Sequence, residues 1–175
     1  MSADPRPRDE VDAVVEAWAR ERPDLDVAPM RVLSRVTRLA RHLDRQRAAA
    51  FSAHGLETWE FDVLAALRRA GAPNQLSPGQ LVRETMVTSG TMTNRVDRLA
   101  ARGLVHRELH PGDKRGVLVR LTDAGRTAVD AALADLLQAE RALLAGLPED
   151  DQHQLAQTLR RLLVVYREDE DPTDP

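Results

Sequence analysis

The sequence predicts a mainly α protein with one small β element (α+β), and three observations carry that class. Two short capped helices follow each other closely between residues 77 and 102. Two alternating runs, 104–110 and 117–121, flank a Pro-Gly turn, and long apolar stripes at helical spacing lie on both sides. With 175 residues, 42% hydrophobic and only 3% aromatic, the chain has enough apolar material for one helical domain with a core.

From the start of the chain, Val11, Val14, Val15 and Trp18 follow i, i+3, i+4 and i+7, a short amphipathic helix that must end before Pro23. Met30, Leu33, Val36, Ala40 and Leu43 mark a long amphipathic helix within residues 29–56. Ser77 before Pro78, with Gln80 three residues on, is a capping box with proline at the first helical position, and that helix should run to about Thr85. A second start at Thr88 or Ser89 leaves only a tight turn, so the two helices cross steeply. On the second helix Met92, Val96, Leu99 and Gly103 should face the core. Residues 111–116, Pro-Gly-Asp-Lys-Arg-Gly, turn a two-stranded hairpin, and Thr122 with Asp123 caps the next helix. After it, Leu133, Leu136, Leu137, Leu143, Leu144 and Leu147 form one stripe, and Leu155, Leu159, Leu162, Leu163 and Tyr166 another. These stripes exceed what one small core needs, which points to a partner surface, a homodimer in the simplest case. The expected organisation is a disordered start plus helix over 1–28, a dimerisation helix over 29–56, a winged helix-turn-helix over 57–125, C-terminal dimerisation helices over 126–168 and a disordered acidic tail over 169–175.

A helix-turn-helix followed by a hairpin wing is suited to double-stranded DNA. Ser89, Gly90, Thr91, Thr93, Asn94 and Arg98 fall on or near the polar face of the second helix, beside Asp97, and are the candidate groove contacts. At the wing tip Arg115 can enter a minor groove, Asp113 can steady its guanidinium and Lys114 can meet a phosphate. Charge partition agrees: residues 77–122 hold eight basic and four acidic side chains, net +4, against −3 for the whole chain, so the remainder carries −7.

These residues resemble the MarR family of winged-helix transcription regulators. The resemblance rests on 89–107, SGTMTNRVDRLAARGLVHR, and on 111–125, PGDKRGVLVRLTDAG, whose wing signature of Asp-x-Arg, a strand and Leu-Thr-x-x-Gly is met by Asp113, Arg115, Leu121, Thr122 and Gly125. It implies a homodimer with interleaved terminal helices and two winged helices reading a palindrome, a repressor released by a small ligand. With no cysteine, thiol redox sensing and a disulfide framework are excluded.

Asp62 interrupts an apolar helix, Arg95 lies beside Met92, Val96 and Leu99 and off the face assigned to DNA, and Arg107 alternates with Val105 and Leu109, so all three are expected inward, in an internal ion-pair network. Trp18 has two readings, a packing anchor or a ligand contact. The set Trp18, Asp62, Arg95 and Arg107 is similar to that of the subgroup of the family with an extra N-terminal helix that responds to urate. By that resemblance Trp18 and Arg107 would contact a purine anion, Asp62 would sense its charge and Arg95 would relay the disturbance; other members answer to aconitate or citrate, and phenolic effectors are a further alternative.

No cofactor and no metal is expected. His106, Glu108 and His110 share a strand face at spacing two, but a solvated face outweighs a metal site there, as it does for the stripe Arg31, Arg35, Arg38, Arg41 and Arg45. Catalysis is not expected, since no phosphate loop, paired carboxylates or Ser-His constellation can be placed. A winged-helix module that binds only proteins is the rival of another class. No apolar run approaches a membrane span and no signal peptide opens the chain, so the expected location is cytoplasmic.

Overall fold

The computed structural model describes the backbone of residues 8–110 and 113–169 and the side chains of 8–109 and 116–165. The expected disorder of residues 1–7 and 170–175 therefore lies outside the described residues, while residue 169, taken with the tail from sequence, is helical. Seven helices and three strands follow in the order α1 (Glu10–Glu21), α2 (Met30–Ser52), α3 (Thr58–Arg69), β1 (Gln75–Leu76), α4 (Pro78–Thr85), α5 (Ser89–Ala101), β2 (Val105–His110), β3 (Asp113–Leu121), α6 (Asp123–Leu144) and α7 (Glu149–Asp169).

The core sits where α3, α4, α5, the sheet and the first half of α6 meet, around Leu64, Leu67, Leu81, Met92, Leu99, Val119 and Val129, and the end of α2 enters through Phe51 stacked on Phe61. α4 begins as its sequence dictates: the Ser77 hydroxyl accepts from the Gln80 amide at 3.2 Å and the Gln80 side chain accepts from the Ser77 amide at 2.8 Å. α5 starts at an N-cap formed by Thr88 and buries Met92, Val96 and Leu99. Gly103 is not on that face; it lies past the helix end at φ +69°, the left-handed position that stops α5 and turns the chain into β2.

The expected two-stranded wing is present as β2 paired with β3, and β1, not anticipated from sequence, adds a third strand to the sheet. The order is β1-β3-β2, all antiparallel, with Leu76 opposite Val119 and Arg107 opposite Val119 from the other side. A two-residue strand has no periodicity to read. At the wing base the Leu104 carbonyl accepts from the Thr122 amide at 3.1 Å, and the Thr122 hydroxyl lies 2.8 Å and 3.0 Å from the carbonyls of Gly103 and Leu104. The same hydroxyl accepts from the Gly125 amide at 3.0 Å, capping α6.

α1 is built by a reciprocal cap: Asp9 accepts from the amides of Val11 and Asp12 at 2.8 Å and 3.2 Å, and Asp12 accepts from the Asp9 amide at 3.0 Å. Val11 and Val15 are buried, and Arg35 of α2 grips Asp9 at 2.7 Å and Asp12 at 2.8 Å while Arg38 pairs with Glu10. Part of the arginine stripe on α2 is thus a clamp for α1. The Arg35 guanidinium holds the Asp9 carboxyl below the usual range, and Asp12 is lowered first by the Asp9 amide and then by Arg35. A carboxyl lowered in the folded state stabilises above its unfolded value and loses that contribution as pH falls through its folded value. We predict that acidification below about pH 4 loosens α1 from α2. In a Trp59→Phe background, Trp18 emission should shift there while the far-ultraviolet helical signal persists; emission unchanged until global acid unfolding would count against the clamp.

Candidate nucleic-acid interface

α5 presents Ser89, Gly90, Thr91, Thr93, Asn94, Asp97 and Arg98 to solvent, opposite its buried face. Thr93 bonds back to the Ser89 carbonyl at 3.1 Å and the hydroxyls of Thr91 and Thr88 are 2.9 Å apart, so the early turn is locally ordered. Asn94 and Arg98, with longer reach, lie one turn apart on that surface. A depression of about 580 Å³ is lined by Gly90, Thr91, Asn94, Arg95 and Arg98 and, from the start of α3, by Glu57 and Trp59.

That depression corrects the placement of Arg95. Its guanidinium carbon lies 5.5 Å from the centre of the Trp59 ring, and that of Arg98 4.6 Å from the same centre, so Arg95 sits beside the exposed face rather than away from it. Glu57 completes the group: its carboxylate accepts from the Trp59 indole at 2.7 Å and from Arg98 at 2.7 Å. Those contacts, the indole first, hold the Glu57 carboxyl below its ordinary range.

The other inward expectations also change. Asp62 is not a buried charge; its side chain is 42% exposed and its partner is Arg47 of α2 at 3.4 Å. Arg107 is 43% exposed and pairs with Asp97 of α5 at 2.7 Å, because β2 runs beyond the core after Val105 and leaves Leu109 in solvent as well. Each of Asp62, Arg95 and Arg107 has a partner outside the set, and no internal network joins them among the described residues. Trp18 is 49% exposed on α1. The buried carboxylate of this region is Glu60, which the sequence reading passed over: it is 1% exposed, accepts from the Glu57 amide at 2.9 Å and pairs with Arg102, whose other nitrogen donates to the Gly55 carbonyl at 2.7 Å. Its place three residues after Glu57, ahead of an apolar run, was the available signal.

The side chains of Asp113, Lys114 and Arg115 lie outside the described residues. On the outer wing face His106 bonds Glu108 at 2.7 Å and Arg120 approaches the same oxygen at 3.3 Å, so this carboxylate is engaged by side chains of the protein itself.

The family model for the MarR family matches residues 54–116, from the turn before α3 to the wing. The HTH-type transcriptional regulator PecS of Dickeya dadantii (strain 3937) is 39% identical over 153 residues, 87% of this chain and 92% of that protein. The chain is a member of the MarR family. A second relative of this MarR-family regulator, the HTH-type transcriptional repressor NicR of Pseudomonas putida, is 30% identical over 79% of this chain and 89% of its own length. Among solved structures, a mutant MarR from E. coli complexed with operator DNA superposes with a TM-score of 0.65 at 28% identity, covering 78% of this chain and 95% of that one. The protein is thus a DNA-binding transcription regulator, its relatives are regulators rather than enzymes, and no helix among the described residues is long and apolar enough to cross a membrane.

Proposed function

We propose that this regulator is a homodimeric repressor that occupies a palindromic operator and leaves it when a small anionic ligand, urate or a related purine, binds. The observation that carries the dimer is the apolar surface along α2 and α7. Val32, Leu33, Leu162 and Leu163 are exposed, and a groove of about 750 Å³ runs between the two helices, floored by Val36, Leu39, Leu155 and Leu159. A contiguous apolar surface of that kind is costly to leave in water, and a two-fold partner offering the same stripes would cover it. Two α5 helices would then meet successive major grooves, about 34 Å apart. Ser89, Gly90, Thr91, Thr93, Asn94 and Arg98 would enter the groove, with Asp113, Lys114 and Arg115 beside it. That NicR is named a repressor supports the direction of regulation.

For the ligand, Trp18, Asp62, Arg95 and Arg107 remain the candidate contacts, supported by what two of them hold. Arg107 ties the wing base to α5 through Asp97, and Asp62 ties α3 to α2 through Arg47. An anion that drew Arg107 from Asp97 and repelled Asp62 would alter both ties, and could lower DNA affinity only through its different affinity for the two arrangements. The test is fluorescence anisotropy of the full chain on a duplex from the DNA preceding its own coding sequence, with urate titrated into the complex. Urate should release the DNA, and Trp18→Phe and Arg107→Ala should each raise the urate needed by about tenfold, as loss of one charge-assisted contact does. Release by citrate, aconitate or a phenol but not by urate would remove the purine, and a urate response in both variants equal to the parent's would remove the site.

A further inference from the structure

Two residues of the candidate interface belong to neither helix of the helix-turn-helix. Glu57 is the N-cap of α3 and Trp59 lies in its first turn, yet both touch the arginines of α5: Trp59 lies under Arg95 and Arg98, and Glu57 bonds Arg98 at 2.7 Å as well as the Trp59 indole at 2.7 Å. Guanidinium groups stacked on an indole keep their edge N–H groups available, because stacking uses the face and hydrogen bonding uses the rim. A carboxylate on that rim satisfies Arg98 with the same charge and acceptor geometry that a DNA phosphate would bring. Both members of the pair are more than half exposed, so an incoming phosphate can reach it and the exchange is cheap.

We propose that the first turn of α3 is part of the DNA-reading surface, with Trp59 as the shelf that positions Arg95 and Arg98 and Glu57 as an internal phosphate mimic that DNA displaces from Arg98. Glu57 thereby weakens every complex by a fixed factor, and non-operator DNA, which depends most on phosphate contacts, is the complex least able to bear it. Glu57 and Trp59 are positioning residues that act through Arg98, and the proposal rests on Arg98 as a DNA contact.

The experiment is a double-mutant cycle between Glu57→Gln and Arg98→Ala, read by anisotropy across a salt series on two duplexes, the DNA preceding the protein's own coding sequence and a scrambled one of equal length. Glu57→Gln should tighten binding to both by about two- to fivefold per protomer, the range of an exposed ion pair. The slope of log affinity against log salt should steepen by about 0.9 per protomer, as for one added phosphate contact. In the Arg98→Ala background the same change should do nothing. Trp59→Phe, which keeps a ring, should hold most of the affinity that Trp59→Leu loses. Unchanged affinity and slope in Glu57→Gln would overturn the mimic, as would equal tightening with and without Arg98. Arg98→Ala binding like the parent would instead strike the groove assignment itself, a failure distinguishable from loss of the Glu57 effect alone.

Discussion

Gly125→Ala should unfold the protein more readily although alanine is the better helix former. Gly125 lies in the first turn of α6, where helix propensity alone favours alanine by about 1 kcal/mol. A Cβ built there falls 2.1 Å from the Leu104 carbonyl oxygen and 3.0 Å from its carbon, and both atoms are backbone that cannot swing away. That carbonyl is also held by Thr122, so relief requires moving the start of α6 or opening the base of the wing. Overpacking against fixed atoms costs about 3 kcal/mol, and occasionally more, which outweighs the propensity gain. For a chain of this length the net loss of about 2 kcal/mol corresponds to a fall in Tm of about 4–8 °C, compared at one protein concentration because self-association would shift both values. A melting temperature at or above the parent's would show that the close approach is not what fixes glycine here.

Glu60→Ala is the other large effect expected. Removing a carboxylate that is 1% exposed strands the Glu57 amide and leaves Arg102 without its anion at the point where α3, the end of α5 and the turn at Gly55 meet. Breaking a buried pair costs about 3–5 kcal/mol, and the half-exposed Arg102 can recruit water, so about 2–4 kcal/mol is expected. Denaturant unfolding should show a lower midpoint at unchanged slope, with Glu60→Gln losing less because it still accepts from the Glu57 amide. An alanine variant as stable as the parent would reduce Glu60 to a bystander.

What could be read before folding was whatever depends on near neighbours. Ser77, Pro78 and Gln80 specify the start of α4 within four residues, Thr88 starts α5, and Met92, Val96 and Leu99 face inward by spacing alone. The failures share one cause, which is distance along the chain. Arg107 was assigned inward by strand alternation, but alternation fixes a side and not whether anything covers that side, and the sheet outruns the core there. Asp62 drew notice as the charge in an apolar run, whereas Glu60, two residues earlier, is the one the fold encloses, because Arg102 arrives from the end of α5 to meet it. Trp59 carried no assignment from sequence, because its place beside Arg95 and Arg98 needs the start of α3 to lie against α5.

The knot of bonds at Leu104 and Thr122 has a consequence for how such a regulator can change over generations. The chain leaves the body and returns to it at one carbonyl, so the strands between are a closed excursion whose ends are already fixed. Lengthening a closed loop costs little, growing only with the logarithm of its length. Residues near the tip can therefore be gained, lost or recharged without disturbing the packing beneath. The part of the molecule best placed to acquire a new binding preference is also the part whose alteration threatens the fold least.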